Sequence, residues 1–380
     1  MLAAGLLLAL EVFASAEPVP DAGVVPSAAE PSTAEPSAAE QVAPAPAAPD
    51  VPPPAEAPRL RTVRRARQAF GTEVQMLATA RTDEEAQLVG AHLDAAFQEL
   101  RRVEAQLDPR RPESDVARVN GSAGGAPVVV EPEVFGVLAE AARLSSLSQG
   151  AFDPTFAALD GLWRFDKGAP AAGPRAPAAA ALQEPLALVR FRDLLLDPAA
   201  RTARLAREGQ RIDLAGLAKG YALDRAALVL EERGVTGFLI AAGGDLVVRG
   251  TRGERPWQIG IQDPRAPGHF ATLPVTKGAI MTTGDYERFF FEDGKRYHHV
   301  LDPRTGRPAE GLRSATVMAD HGAEADALST AVFVLGPEQG MALVERLRGV
   351  EAVLVTVDNR VLVSKGLKGV LRHRPPTDAP

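Results

Sequence analysis

The spacing of apolar residues after position 82 predicts one long amphipathic helix. Thr82 and Glu85 form a capping box at its start, and Asp108-Pro109 ends it. Between these signals, apolar side chains recur every three or four positions, which places them on one helix face. They are Ala86, Val89, Leu93, Ala96, Leu100, Val103 and Leu107.

Three further helices are predicted by start and stop signals. One runs from Pro132, a favoured first-turn proline, to Gly150. Another opens at Gly216 and ends at Arg233, before Gly234. A third contains residues 323–330 and is interrupted at Gly336-Pro337.

Short runs of alternating or continuous apolar residues predict strands. These runs are Thr72–Ala78, Val235–Ala242, Asp245–Arg249, Trp257–Ile261, Lys295–Leu301, and a closing hairpin of Ala352–Val357 with Val361–Val363. Helices and strands do not alternate regularly, so a parallel sheet with crossover helices is not favoured. We therefore expect an α+β fold, a single compact domain of mixed helices and largely antiparallel strands.

The first 58 residues differ in composition from the rest. Residues 1–16 hold a short apolar run followed by small residues, which is typical of a signal peptide, although the usual basic start is missing. An uncleaved N-terminal anchor is the alternative. Residues 17–58 are rich in Ala, Pro and acidic residues and predict a disordered linker. The folded domain is expected over 59–372, with a flexible tail over 373–380, and export to the periplasm or cell envelope is expected.

Charge and cysteine content narrow the functional classes. The first 58 residues hold eight acids and no Lys or Arg, so the remainder has 41 of the 49 acids against 42 bases and is nearly neutral. A nearly neutral domain argues against a nucleic-acid partner. With Cys 0, disulfides, thiolate metal sites and cysteine nucleophiles are excluded.

Candidate chemistry begins with Asp326 and Thr330. At i and i+4 they share a helix face, and a carboxylate beside a hydroxyl suits Mg²⁺. Alternatively, Asp326 only complements the helix dipole. Gly216-Leu-Ala-Lys-Gly220 follows a strand ending in Asp213, where free N–H groups at a helix start suit phosphate, or Lys219 is simply solvated. His298-His299 could suggest zinc, but neighbouring strand residues face opposite ways and a third ligand is missing.

Taken together, several stretches resemble the FAD:protein FMN transferase family (flavin transferases, ApbE, also called thiamine-biosynthesis lipoproteins). The similarity runs from about Ala69 to the C-terminal region. Its motifs are Gly150-Ala-Phe-Asp153, Ile212–Tyr221, Gly243-Gly-Asp245, Gly284-Asp-Tyr286, His299–Gly306 and Glu324–Thr330. Each motif is short, and their order and spacing carry the resemblance.

The resemblance implies transfer of FMN from FAD to a threonine hydroxyl of an acceptor flavoprotein, with Mg²⁺ required and AMP released. It implies flavin-nucleotide contacts at Ala151, Phe152, Asp153, Asp213, Lys219 and Val300, and metal contacts at Gly216 (main-chain oxygen), Asp326 and Thr330. For the base that activates threonine we favour His299, because the ordinary pKa of histidine suits neutral pH, with Asp285 as the second choice.

Two positions depart from the family pattern in the nucleotide pocket. Phe70 stands where methionine is common, and Arg110 where an aromatic residue is common. These departures leave two alternatives open: a Mg²⁺-dependent FAD pyrophosphatase giving FMN and AMP, and a non-catalytic FAD-binding protein. The expected partner is an acceptor flavoprotein, an envelope redox subunit.

Overall fold

The computed structural model describes residues 60–165 and 174–378. The predicted signal peptide and linker lie outside these residues. The helices are α1 (Asp83–Leu107), α2 (Asp115–Gly121), α3 (Pro132–Leu147), α4 (Ala179–Leu188), α5 (Ala215–Glu232) and α6 (Gly322–Val344), with short 3₁₀ turns at Pro154–Leu159, Phe191–Asp193 and Lys365–Leu367.

The strands are short and numerous. They are β1 (Arg61–Ala69), β2 (Thr72–Ala80), β3 (Val128–Val129), β4 (Leu194–Asp197), β5 (Thr202–Leu205), β6 (Phe238–Ala242), β7 (Asp245–Arg249), β8 (Trp257–Gln262), β9 (His269–Val275), β10 (Lys277–Gly284), β11 (Phe289–Glu292), β12 (Lys295–His298), β13 (Leu301–Asp302), β14 (Arg307–Pro308), β15 (Leu312–Ala319), β16 (Glu351–Thr356), β17 (Val361–Val363) and β18 (Arg372–His373).

An eight-stranded sheet in the order β1-β2-β6-β7-β10-β15-β16-β17 forms the centre of the molecule, and every neighbouring pair is antiparallel. Alternate residues of its strands point to opposite faces. On β6, Phe238 and Ile240 face the core beneath the helices, while Leu239 faces a second core beneath the sheet β18-β9-β8. The predicted α+β class with largely antiparallel strands is confirmed.

The helix over 83–107 forms as the sequence predicts. Thr82 Oγ1 accepts the Glu85 N–H at 3.1 Å, and the Glu85 carboxylate accepts the Arg81 N–H at 2.6 Å. The apolar residues from Val89 to Leu107 that define the stripe are buried. Burial of one face against the sheet stabilises α1 more than local propensity does.

The helix α6 is long and apolar enough to cross a membrane by length and composition, but most of it is buried inside the protein. It packs against α5, β10 and β15 as a core helix. Gly336 interrupts it with φ 78° and ψ −176°, at the predicted break before Pro337.

One predicted strand is interrupted in the structure. The strand predicted over Lys295–Leu301 divides into β12 and β13, although His299 N–H still donates to Arg288 O at 3.0 Å, in register with the Phe289–His298 pair. In the segment predicted as a flexible tail from residue 373, Thr377 and Asp378 make contacts with the folded domain. Thr377 N–H donates to Asp263 at 2.9 Å, and Arg313 binds Asp378 at 3.1 Å.

Candidate functional site

A crossing of α5 and α6 brings the predicted metal residues together. Gly220 on α5 and Gly322 on α6 touch backbone to backbone, and a Cβ added to either would overlap the main chain of the other. Small residues permit this close approach. The crossing therefore explains Gly220, which the sequence pattern had assigned to a phosphate-binding turn.

Asp326 makes one of the hydrogen bonds across this crossing. Its Oδ2 accepts the Gly220 N–H at 3.0 Å, and the side chain is only 7% exposed. One turn further along α6, Thr330 is half-buried and faces the start of α5, where a Cβ on Gly216 would lie 3.8 Å from Thr330 Oγ1. Asp326, Thr330 and Gly216 thus lie around one small space.

These residues fit a hard divalent cation. Burial raises the pKa of Asp326 to about 7, although Lys219 opposes the rise. A bound cation would favour the ionised carboxylate. Among residues 60–165 and 174–378, no group of three or more His, Cys, Asp or Glu residues is arranged to hold a metal. A cation here would therefore need oxygens from substrate and water to complete its shell, as Mg²⁺ commonly does.

Lys219 is not a solvated lysine. Its ammonium pairs with Oδ2 of Asp245. Oδ1 of the same carboxylate accepts the Thr282 N–H at 2.8 Å. Burial by itself would lower the pKa of Lys219, but the charges of Asp245 and Asp326 outweigh it and raise the pKa. Lys219 therefore stays protonated, and its ammonium group, paired with Asp245, lies near Asp326.

The segment Ala151–Asp153 forms a second wall. Asp153 accepts hydrogen bonds from Thr155 N, Thr155 Oγ1 and Phe191 N at 2.8, 2.6 and 2.9 Å, so its carboxylate fixes the local turn. Burial raises its pKa. The Phe152 ring lies 3.1 Å from the position of a Cβ on Gly216. Asp153 thus places Phe152 against the start of α5, and Ala151 is buried beside it.

Asp213 lies between the Ala151–Asp153 segment and the start of α5. Its N–H donates to Pro154 O at 2.9 Å, and its Oδ1 accepts the Ala215 N–H at 2.7 Å. Burial raises the pKa of Asp213, and the nearby Arg110 opposes this. The Arg110 side chain is 86% exposed and pairs with Asp108 at 2.8 Å, so it lies at the solvent edge of this region.

Phe70 occupies the β1–β2 turn, where it adopts φ 50° and its N–H donates to Glu104. The same turn contacts the glycine pair after β6, since Thr72 Oγ1 lies 2.9 Å from the position of a Cβ on Gly243. A side chain on Gly243 would crowd Thr72 and would strain the backbone, since Gly243 has φ 60°. The turn and the motif Gly243-Gly-Asp245 are therefore neighbours, on the Lys219 side of the site.

The two histidines have different surroundings. His298 is buried, its Nε2 bonds Ala309 O at 3.0 Å, and its ring packs edge-on against Phe333. His299 Nδ1 is buried and has no hydrogen-bond partner among the described residues. Burial, with a further contribution from Arg288, lowers the pKa of His299 to about 3. The sequence argument that His299 titrates near neutrality is therefore wrong, and the imidazole is neutral at pH 7. Val300, next in the chain, is buried and its carbonyl accepts the Ala309 N–H.

Aromatic packing holds the hairpin that carries His299. Phe290 on β11 stacks on Tyr297 on β12, with centroids 5.3 Å apart. Trp163 contacts Tyr297, and its Nε1 donates to Gly306 O at 2.8 Å. These contacts fix both ends of the segment that includes His299.

Asp285, the second choice for the base, is not placed to accept a proton. Arg265 binds both of its carboxylate oxygens at 2.6 Å, and both side chains are buried. Such a bidentate pair engages both oxygens of the carboxylate. The geometry gives Asp285 a structural part in the turn Gly284-Asp-Tyr286.

Sequence reasoning missed three residues that the fold brings to the site: Asp245 as the partner of Lys219, Arg265 as the partner of Asp285, and Thr283. Thr283 lies on β10 with its hydroxyl 2.8 Å from Ser329 Oγ on α6. No motif or spacing marks these contacts, because each joins residues at least 20 positions apart.

The chain is similar to characterised relatives over most of its length. The family model described as "ApbE family" matches residues 70–354. An FAD:protein FMN transferase of Treponema pallidum (strain Nichols) is 35% identical over 328 residues, covering 81% of this chain and 88% of that protein. One from Klebsiella pneumoniae (strain 342) is 35% identical over 271 residues, covering 70% and 83%.

Solved structures give the same result for the fold. The crystal structure of an ApbE protein from Thermotoga maritima matches with a TM-score of 0.73 and 30% identity, covering 82% of this chain and 100% of that one. The flavin transferase ApbE from Vibrio cholerae matches with a TM-score of 0.71 and 26% identity, again covering 82% and 100%.

Proposed function

Since this chain belongs to the ApbE family and is an FAD:protein FMN transferase, we propose that it transfers FMN to a threonine hydroxyl of an acceptor flavoprotein. The proposed reaction requires Mg²⁺, and AMP is the leaving group. The observation that supports the metal is the meeting of Asp326, Thr330 and Gly216 across the α5–α6 crossing. A protein that only bound FAD would not need this oxygen-ligand set at the diphosphate.

In the proposed reaction, the threonine oxygen forms a bond to the FMN phosphorus, and the bond from that phosphorus to the oxygen bridging to AMP breaks. Charge builds up on the diphosphate as AMP leaves. When bound, Mg²⁺ would neutralise part of that charge and orient the diphosphate. Asp326, Thr330 and the Gly216 carbonyl would hold it, while Phe152 closes one side of the space.

Two groups of the chain act on charge and protons. Lys219, fixed by Asp245, supplies a positive charge for the diphosphate. His299 is neutral at pH 7, so the unprotonated nitrogen of its ring can accept the threonine proton. Its low pKa makes it a weak base, so the proton is transferred late, as the bond to phosphorus forms.

We further propose that the protein is exported and acts on an envelope redox subunit. Support comes from the apolar run before residue 11 and the Ala/Pro-rich stretch over 17–58, which is suited to a tether between an anchor and a folded domain.

The test combines purified protein, FAD, Mg²⁺ and an acceptor protein carrying a single candidate threonine. We expect the acceptor to gain the mass of FMN less one water, together with in-gel flavin fluorescence, and an equal amount of AMP to be released. An acceptor with that threonine changed to valine is the matched control. Equal labelling of the valine acceptor at that site would refute the threonine target, and equal labelling in excess EDTA would refute the Mg²⁺ requirement. Free FMN and AMP without labelled acceptor would identify the pyrophosphatase reaction.

A further inference from the structure

A hydroxyl of the central sheet contacts the proposed metal-binding helix. Thr283 on β10 points to α6, where its Oγ1 lies 2.8 Å from Ser329 Oγ and 3.4 Å from Thr330 Oγ1. Ser329 is buried, whereas Thr283 and Thr330 are half-buried. Three hydroxyls from two elements thus meet beside Asp326.

The donors and acceptors in this group follow from counting protons. Ser329 Oγ donates its proton to Asp326 O at 2.8 Å. A hydroxyl has only one proton to donate, so Ser329 must accept the proton of Thr283. Thr283, having donated to Ser329, can only accept from Thr330. The protons therefore run in one direction, from Thr330 through Thr283 and Ser329 to the Asp326 carbonyl.

This direction determines where the Thr330 lone pairs point. A threonine within a helix commonly donates to the carbonyl four residues earlier, which for Thr330 is Asp326 O. Here Ser329 already donates to that carbonyl. With its proton directed to Thr283, Thr330 keeps both lone pairs for the side that faces Gly216.

We propose that Thr283 is a positioning residue that fixes the Thr330 hydroxyl with its lone pairs toward the Mg²⁺ site. This inference rests on the proposed function. Without the Thr283 hydroxyl, Thr330 can rotate to its other helical rotamer, since threonine has two of comparable population in helices. The metal would then lose a preoriented ligand, although Asp326 and Gly216 stay in place.

The Thr283–Thr330 contact is weak, which limits the loss of Mg²⁺ affinity expected on its removal. Loss of a partner that orients a metal ligand typically costs 10- to 100-fold in metal affinity or activity. The 3.4 Å contact is at the weak end of hydrogen bonding. We therefore expect about a tenfold rise in the Mg²⁺ concentration needed for half-saturation when the Thr283 hydroxyl is removed.

The chain supplies a matched control at the next position. Thr282 Oγ1 lies 2.9 Å from Thr316 Oγ1, its cross-strand partner on β15. Thr282→Val thus removes a hydroxyl–hydroxyl contact from the same strand without touching α6. Thr283→Ser keeps the hydroxyl and removes only a methyl group.

The experiment measures Mg²⁺ half-saturation in two ways for each variant: from the transfer rate at saturating FAD and acceptor, and from the rise of Tm with Mg²⁺ in the presence of FAD alone. Thr283→Val should shift both by about tenfold. Thr283→Ser and Thr282→Val should stay close to wild type. If Thr283→Val does not fold, Ser329→Ala interrupts the same chain of hydroxyls and should give the same shift.

Unchanged half-saturation in the variant that removes the Thr283 hydroxyl, beside a Mg²⁺-dependent wild type, would overturn this inference and leave the proposed function standing. An equal shift in Thr282→Val would also overturn it, because the effect would then belong to the sheet in general. If neither the transfer rate nor the Tm of the wild type depends on Mg²⁺, the proposed metal requirement itself is overturned.

Discussion

Replacing Asp326 by asparagine should separate the metal-binding and structural parts of this residue. The amide keeps the shape and can still accept the Gly220 N–H through its oxygen. It removes the negative charge, which is the main attraction for a cation. We expect Asp326→Asn to lose Mg²⁺-dependent transfer while the metal-free protein stays folded.

The pKa gives a magnitude for the metal-free protein. Burial raises the pKa of Asp326 to about 7, with the charge of Asp245 adding to the rise and Lys219 and the Gly220 N–H opposing it. Because the folded pKa exceeds the unfolded one, this group stabilises the fold at low pH. That contribution is lost as the pH rises through about 7. Between pH 5 and 7 the loss is on the order of 3 kcal/mol, at about 1.4 kcal/mol per pH unit.

The assay is thermal unfolding in EDTA at pH 5 and pH 8. Wild type should lose roughly 5 °C more than Asp326→Asn between these pH values, at about 2 °C per kcal/mol for a domain of this size. Asp320→Asn removes the same charge from an exposed position just before α6 and should follow wild type. Parallel pH dependence in wild type and Asp326→Asn would refute the reasoning about burial, and Mg²⁺-dependent transfer by Asp326→Asn would refute the ligand assignment.

Three other changes test separate parts of the structure. His299→Ala should lower the transfer rate and leave FAD affinity, measured by flavin fluorescence titration, nearly unchanged. Because the pKa of His299 lies near 3, the pH profile of the wild-type rate should show no histidine inflection between pH 6 and 8. An inflection near pH 6.5 that is absent from the variant would contradict this. Arg265→Ala should destabilise the fold by about 3–5 kcal/mol in urea unfolding, because it leaves the Asp285 carboxylate buried and unpaired; a loss below about 1 kcal/mol would show that the pair is solvated. Gly220→Ala should lower stability by about 1–3 kcal/mol or prevent folding, since its Cβ would overlap Gly322 O, and a wild-type Tm would disprove the close crossing.

Helices with clear local signals could be predicted from the sequence. The capping box at Thr82 and the apolar stripe to Leu107 specify α1 without reference to the rest of the chain, and the break at Gly336 follows from Gly-Pro alone. The strand order could not be predicted. β10 lies between β7 and β15, and antiparallel pairs of this kind are specified by packing on both faces of the sheet.

The candidate site also has a part that the sequence predicts and a part that it does not. Asp326 and Thr330 share a helix face by spacing alone, so the sequence could place them together. The surroundings that set their chemistry come from distant segments, namely Lys219 with Asp245 and the hydroxyl of Thr283. The pKa of His299 was predicted wrongly for this reason, because composition does not show how deeply an imidazole is buried.

The glycines of α5 lie at the candidate site, but Gly220 is there because of helix packing and not because of phosphate binding. Gly216 and Gly220 resemble a phosphate-binding turn, yet Gly220 is required by the approach of α6, which a Cβ would prevent. That approach sets Asp326 against the Gly220 N–H and Thr330 opposite Gly216. Any residue larger than glycine at the crossing would push α6 away and separate the proposed metal ligands. The glycine spacing on α5 therefore serves the site through helix packing, and the carbonyl of Gly216 gains its proposed part because the crossing exists.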